Sequence, residues 1–261
     1  MCTLVVAFYP QSLTPLVIAA NRDENPTRPA EDWNFRYFED NQQIVDIFLP
    51  QIYPDVYCPL DVLGGTWIGV NQLGIFCAIT NWDYGEDLSG KGLKSRGHLV
   101  LNSLKKRSVE MIIKSWVKLN PVNYKPFHML AGDINNLFYI SCDNKEIIIN
   151  SLKAGVHIST GLGLNKEVPR DVFIREKLLL NMNSFSQPVK PTTLSYLMKQ
   201  HNDGLGSENS VCVHDPEHKW ETRSSAVMVN DGIEWVVNHK NGPACQDNIW
   251  NCRYINIRKA K

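Results

Sequence analysis

The sequence predicts an α+β protein, a four-layer α/β/β/α sandwich of two mostly antiparallel sheets. Three observations lead there. Short apolar runs recur along the chain, and the first of them are apolar on both faces, so their strands are covered on both sides. Neighbouring runs are joined by brief turns, which is hairpin connectivity rather than parallel crossover. Helical patterns come in two groups set between groups of strands, so the helices cover the outer faces of two stacked sheets.

The first hairpin joins Cys2–Phe8 to Leu16–Arg22 through a turn holding Pro10 and Ser12. Its second strand runs into the polar cluster Asn21-Arg22-Asp23-Glu24. In an antiparallel hairpin that end returns beside the start of the first strand, so the cluster meets Cys2. Asn25–Leu63 contains Pro26, Pro29, Pro50, Pro54 and Pro59 and reads as a long loop with one strand near Ile44–Leu49. Gly64–Val70 and Gly74–Asn81 form a second hairpin turning at Asn71–Leu73. Ser95 and Ser108 read as N-caps of helices reaching about Lys106 and Leu119. Phe127–Ala131, Leu137–Cys142, Glu146–Ser151 and Gly155–Thr160 read as strands. Pro169 and Pro191 open helices reaching about Asn183 and His201. Asn202–Asn209 is a Gly-rich loop. Ser210–His214, Ser224–Asn230, Ile233–His239 and Cys252–Ile257 are the closing strands.

The 261 residues suit one domain spanning 1–261. The 27 basic residues balance 27 acidic ones, which argues against nucleic acid or an anionic membrane as partner. No run approaches the ~20 apolar residues of a membrane span. The first charged residue is Arg22, so the positive n-region of a signal peptide is missing. Seven irregularly spaced cysteines in a chain of this size imply reduced thiols and a cytoplasmic setting.

Removal of Met1 leaves Cys2 carrying both a thiol and a free α-amine. The thiolate is a strong nucleophile, and an α-amine with a pKa of roughly 8 can serve as its base. The plain alternative is a small buried hydrophobe at the start of a strand; position two and the returning cluster favour catalysis. Alternation puts Asn21 and Asp23 on one face of the strand and Arg22 and Glu24 on the other. Which pair faces Cys2 stays open. Asp23 is a candidate to fix the α-amine, and Arg22 to bind a substrate carboxylate or hold Asp23. Asn81, at the end of its strand, is the candidate oxyanion donor, with a turn asparagine as the equal alternative. Arg223 is a candidate for an anionic substrate group, or a surface arginine. Trp67 and Trp82 are expected to line the pocket.

Gly64-Gly65-x-x-x-Gly69 precedes a strand and opens no helix, so it marks a tight turn or close backbone contact rather than a dinucleotide site. Cys212, His214 and His218 offer three zinc ligands, but no fourth stands at motif spacing. Neither metal nor cofactor is expected, and Cys245 and Cys252 read as free thiols.

In order along the chain stand Met1-Cys2, Asn21–Glu24 with Arg28-Pro29, Gly64-Gly65-Thr66-Trp67-Ile68-Gly69, Thr80-Asn81, Ser95-Arg96-Gly97 and Thr222-Arg223-Ser224. This ordered set resembles the NRDE, or transport-and-Golgi-organisation, family over nearly the full length. The family resembles N-terminal-nucleophile hydrolases, which implies the same sandwich. In related cysteine hydrolases the N-terminal Cys is the nucleophile, supported by Arg and Asp on the next strand, an oxyanion Asn and a later Arg. Cys2, Arg22, Asp23, Asn81 and Arg223 are the counterparts here, although those hydrolases separate their Arg and Asp by two residues. Where the family often has a Leu-Ser-Asn turn, this chain has Gly161-Leu162-Gly163. Two functions are implied. One is hydrolysis of a small, linear, non-peptide amide through an acyl-enzyme. The other is non-enzymatic binding or trafficking of haem or an acyl lipid on the same fold.

Overall fold

The structure, a computed structural model, describes residues 2–38, 53–82, 93–180, 187–202, 204, 206–247 and 249–258. The strand expected near Ile44–Leu49 lies outside the described residues. The first half of the chain forms β1 (Thr3–Phe8), β2 (Leu16–Glu24), β3 (Ala30–Arg36), β4 (Val56–Asp61), β5 (Ile68–Asn71) and β6 (Phe76–Asn81), then α1 (Arg96–Leu104) and α2 (Val109–Trp116). Next come β7 (Phe127–Gly132), β8 (Leu137–Cys142), β9 (Ile147–Ser151), β10 (Gly155–Thr160) and β11 (Gly163–Leu164). The chain closes with α3 (Pro169–Leu179), α4 (Pro191–Leu197), β12 (His214–Asp215), β13 (Trp220–Asn230), β14 (Glu234–Asn241) and β15 (Asn251–Asn256).

These strands build two antiparallel sheets. One has the order β11-β10-β1-β2-β13-β14-β15, with β12 added against β13; the other is the meander β3 to β9 in sequence order. Between the sheets, Leu4, Val6, Phe8, Leu16, Ile18 and Met228 meet Ile68, Phe76 and Leu130. On the outer face of the first sheet, Val5, Val17 and Ala19 pack under Ile174, Leu178, Leu194 and Leu197 of α3 and α4. On the outer face of the second, Cys77, Met129 and Ile140 pack under Leu99, Leu104, Ile112 and Trp116 of α1 and α2. The layers therefore run α/β/β/α, as the doubly apolar strands require. Each fully buried Leu or Ile in these layers contributes roughly 1.5–3 kcal/mol.

Asn25–Leu63 is not a single loop, because β3 and β4 form the edge of the second sheet. Of the seven residues of β3, Trp33 alone is buried, so the strand lacks an apolar run. Pro59 lies inside β4, at a point beyond the two residues, Val56 and Tyr57, that pair with β5. There the missing N–H breaks no bond to β5. The expected strand Ser210–His214 is also different: only His214 and Asp215 enter the ladder, pairing with Glu221 and Trp220. The Cys212 N–H instead donates to Gln200 O at 2.9 Å, and the Val213 N–H to Thr222 Oγ1 at 2.8 Å. Ser108 caps α2 by accepting from the Met111 N–H, whereas the Ser95 side chain makes no cap bond to α1.

Candidate active site

The hairpin register sets the site. Thr3 lies opposite Asn21, which leaves Cys2 beside the end of β2 where the polar cluster begins. Leu16, Ile18 and Ala20 face the second sheet, and Val17 and Ala19 face the helices. The same alternation carries Arg22 and Glu24 toward the second sheet and Asn21 and Asp23 toward the helices. Cys2 shares the parity of Leu4 and Val6 and so faces the same way as Arg22.

Cys2, Arg22, Glu24, Trp67, Asn81 and Arg96 line a cavity of about 320 Å³, together with Arg28, Asp61, Lys94, Lys125 and others. The Arg22 guanidinium lies 4.3 Å from the centre of the Trp67 ring and 3.6 Å from Glu24 Oε2. Arg28 bridges Glu24 at 2.8 Å and Asp61 at 3.0 Å. The Cys2 thiol lies 3.8 Å from the Asp23 carbonyl oxygen. Burial pushes its pKa up, and the nearby Asp23 carboxylate adds to that, so the thiol needs a base to become nucleophilic. Burial likewise lowers the Arg22 and Arg96 guanidinium pKa values.

Two glycines let the cavity wall close. A Cβ on Gly65 would stand 2.8 Å from the Gly97 carbonyl carbon, and a Cβ on Gly97 would stand 3.1 Å from Gly65 Cα. The Thr66 N–H donates to Gly97 O at 3.2 Å across this crossing. Thr66-Trp67 and Ser95-Arg96-Gly97 thus meet at the N-terminus of α1, whose first turn holds no acidic residue and faces the cavity. Gly65 thus makes the close backbone contact that was one of the two readings of the Gly64-Gly65 motif, with Gly97 as a partner the sequence did not name.

Asp23 belongs behind the strand. Its Oδ2 pairs with Arg170 Nη1 at 3.3 Å, and its Oδ1 accepts from Thr222 Oγ1 at 2.7 Å. The same Arg170 nitrogen donates to Thr3 Oγ1 at 3.0 Å, tying the residue after Cys2 to β2. Burial raises the Asp23 pKa against the downward pull of Arg170. Thr222 reaches Asp23 because β13 has a bulge: Ser224 pairs with Arg22, Thr222 pairs with Asp23, and Arg223 is the extra residue. Ala226 and Met228 face the second sheet, so without the bulge Thr222 would face it too.

The predicted residues therefore separate. Cys2, Arg22, Trp67 and Asn81 share one cavity. Arg223 lines an adjoining cavity of about 540 Å³ that shares Arg22, Arg28 and Trp67, and it pairs with Glu221 at 2.5 Å. Asn21 falls outside this group, because its amide donates to Met198 O at 2.9 Å and Val211 O at 2.8 Å on the helix side. Trp82 lines neither cavity and packs 4.4 Å from the His128 ring. Sequence reasoning assigned no role to Arg170, Thr222, Arg28 or Arg96. Arg28, Arg96 and Thr222 stand within the family motifs, and Pro169 marks the helix start that aims Arg170, but none of these signals names a partner.

A two-sheet sandwich whose first strand delivers a cysteine to a cavity at the sheet ends defines the N-terminal-nucleophile hydrolase fold. Solved structures agree. Penicillin V acylase from Agrobacterium tumefaciens matches with a TM-score of 0.55 at 13% identity, covering 98% of this chain and 86% of that one. The Caenorhabditis elegans ortholog of N-acylethanolamine-hydrolyzing acid amidase matches with a TM-score of 0.56 at 12% identity, covering 87% and 92%. The chain belongs to the Transport and Golgi organisation 2 family, whose model matches residues 1–237. The Transport and Golgi organization protein 2 homolog of Bos taurus is 23% identical, over 88% of this chain and 89% of its own length. Among the described residues no helix is long and apolar enough to cross a membrane.

Proposed function

We propose that this chain is a cysteine N-terminal-nucleophile hydrolase that cleaves a small, non-peptide, linear amide bearing an anionic group. The observation that carries the reading is Cys2 in a cavity lined by five cationic side chains, Arg22, Arg28, Lys94, Arg96 and Lys125, against two carboxylates, Glu24 and Asp61. Such a surplus favours a carboxylate- or phosphate-bearing substrate, and the α1 N-terminus adds to it. The structural relatives are named as an acylase and an acid amidase, which supports amide cleavage as the reaction class.

In this mechanism Met1 is absent and the α-amine of Cys2 takes the thiol proton. The thiolate attacks the amide carbon, and the carbonyl π-electrons move to oxygen, where Asn81 donates to the oxyanion. Collapse breaks the C–N bond, and the ammonium proton leaves with the amine. Water then attacks the thioester with the same amine as base, releasing the acid and restoring the thiol. Arg22, braced by Trp67, and Arg223 hold the anionic end. Asp23 is a positioning residue, acting through Arg170 and Thr3 on the start of β1.

Intact-mass measurement gives the first test: active protein lacks Met1, and retained Met1 in active material sinks the mechanism. Cys2→Ala abolishes turnover of N-acyl amino acids while leaving the melting temperature within a few degrees. The haem or acyl-lipid carrier is the weaker reading. Among the described residues lining the cavity, Cys2 is the one His, Cys, Met or Tyr that could ligate haem iron, and seven of the sixteen lining residues are charged, which suits an anionic substrate better than an apolar ligand.

A further inference from the structure

Four side chains with metal-binding chemistry converge away from the cavity. Cys212 and His214 stand two apart on either side of buried Val213 and turn their side chains toward each other. His201 arrives from beyond α4, held near them by the Cys212 N–H bond to Gln200 O. Cys245 arrives from the connection between β14 and β15. The ligand atoms of His201, Cys212, His214 and Cys245 all lie within 4.8 Å of one another. His214 Nε2 is 3.1 Å from Cys245 Sγ and 3.8 Å from Cys212 Sγ.

We propose that His201, Cys212, His214 and Cys245 form a structural zinc site. Zinc bound tetrahedrally at about 2.3 Å to sulfur and about 2.0 Å to nitrogen holds its ligands roughly 3.3–3.8 Å apart, near the 3.1 and 3.8 Å of the two pairs at His214 and within an ångström or so of the 4.8 Å limit on the others. Two thiolates with two imidazoles are a donor set that selects zinc over hard cations. Four protein ligands fill the coordination sphere and leave no position for substrate, so the role is structural. His218, the third ligand that the sequence offered, is instead exposed and paired with Asp215 at 2.8 Å. The missing ligands were Cys245, distant in sequence, and His201, on the other side of a Gly-rich loop.

The site is linked to the cavity. Thr222 Oγ1 accepts from the Val213 N–H, between two of the ligands, and donates to Asp23 Oδ1 at 2.7 Å. Zinc would fasten the two ends of the connection from α4 to β12, and the connection after β14, around the residue that holds Asp23. This role is independent of amide cleavage and stands whether or not Cys2 is a nucleophile.

The test is elemental analysis of the full chain, expressed with zinc and desalted over a chelating resin. About one zinc per chain is expected, retained in Cys252→Ser, whose thiol is exposed and outside the cluster, and lost in Cys212→Ser and Cys245→Ser. Those variants risk misfolding, so the wild-type chain is also exchanged into cobalt. Intense visible bands of tetrahedral cobalt, with sulfur-to-metal charge transfer, are expected. A strong chelator should then expose two further thiols to alkylation and lower the melting temperature. Under about a tenth of an equivalent of zinc in wild-type protein after zinc loading, weak octahedral cobalt bands, or a Cys212–Cys245 disulfide in non-reducing peptide maps would each overturn the proposal.

Discussion

Arg22 and Asp23 are adjacent in sequence and opposite in space, and their energetics differ accordingly. Arg22 is buried over the Trp67 face with Glu24 as its carboxylate, at the wall of the cavity. Arg22→Gln keeps much of the volume but removes the cation. It is expected to lower kcat/KM for an anionic amide by roughly tenfold or more, with a much smaller effect on a neutral analogue. Equal losses for both substrates would remove Arg22 from anion binding. Asp23 is deeply buried, and Arg170 supplies its guanidinium. Arg170→Met is expected to destabilise the fold by about 3–5 kcal/mol in urea unfolding, because a buried carboxylate loses its countercharge. Adding Asp23→Asn should recover a large part of that. Of the eight candidate residues that the sequence offered, Cys2, Arg22, Trp67 and Asn81 line one cavity. The parity of the cluster was legible in the sequence. The face each residue takes was not, because it depends on which side of β2 the helices pack. The Asp23 partners were hidden too, since Arg170 and Thr222 are 147 and 199 residues away. The bulge that turns Thr222 toward Asp23 leaves no mark in the residue types around it.

At the scale of elements, the expected strands range from the doubly buried β1 and β2 to the largely exposed β9 and β15, whose apolar and β-branched residues still mark them. β1 is entirely buried and β2 nearly so, and continuous apolar runs announce them. β3 escaped because an edge strand with one buried residue carries no period that distinguishes it from a loop. Most of the expected strand at Ser210–His214 failed for the opposite reason: Val211, Cys212 and Val213 are buried, but the Cys212 N–H goes to Gln200 O beyond α4 and the Val213 N–H to the Thr222 side chain, leaving one backbone bond, Thr222 N–H to Val213 O, to β13. The glycine crossing makes a sharper claim. Gly65→Ala puts a methyl into the Gly97 backbone, and neither chain can yield without moving α1 or β5. About 1–3 kcal/mol of destabilisation is expected, along with loss of activity as Arg96 and Trp67 separate. Gly64 is the control. It has φ +72° and open space around its Cβ position, so Gly64→Asn, which tolerates that backbone, should unfold and turn over almost as the parent does. If Gly65→Ala is as mild as Gly64→Asn, the crossing does not hold the cavity wall.

For the molecule as a whole, the sheets rest on imidazoles kept neutral by burial. His239 of β14 bonds the Tyr57 hydroxyl of β4 at 3.0 Å across the interface, with its ring 5.4 Å from Trp33. His128 of β7 bonds the Tyr139 hydroxyl at 2.7 Å, and His157 of β10 bonds Lys153 O at 2.8 Å. Burial lowers all three, opposed at His239 by Asp32 and at His157 by the bond to Lys153. His128 falls to about 4, with Lys166 adding to the effect of burial. An unfolded imidazole titrates near 6.5, so below that pH the unfolded chain binds a proton that folded His128 refuses. Its stabilising contribution is therefore complete above about pH 6.5 and is lost as pH falls to about 4, by up to about 3 kcal/mol. Asp171 acts the other way: burial raises it to about 6, so its contribution grows as the solution is acidified. A single pH–stability curve would mix the two. The difference between the parent and His128→Gln, which keeps an acceptor for the Tyr139 hydroxyl, cancels Asp171. Urea unfolding should give a parent advantage that is flat from pH 8 to about 7 and shrinks steadily between about 6.5 and 4. An advantage that stays constant across that range would mean His128 is protonated in the folded protein, and the Tyr139 bond would then need the imidazolium as donor.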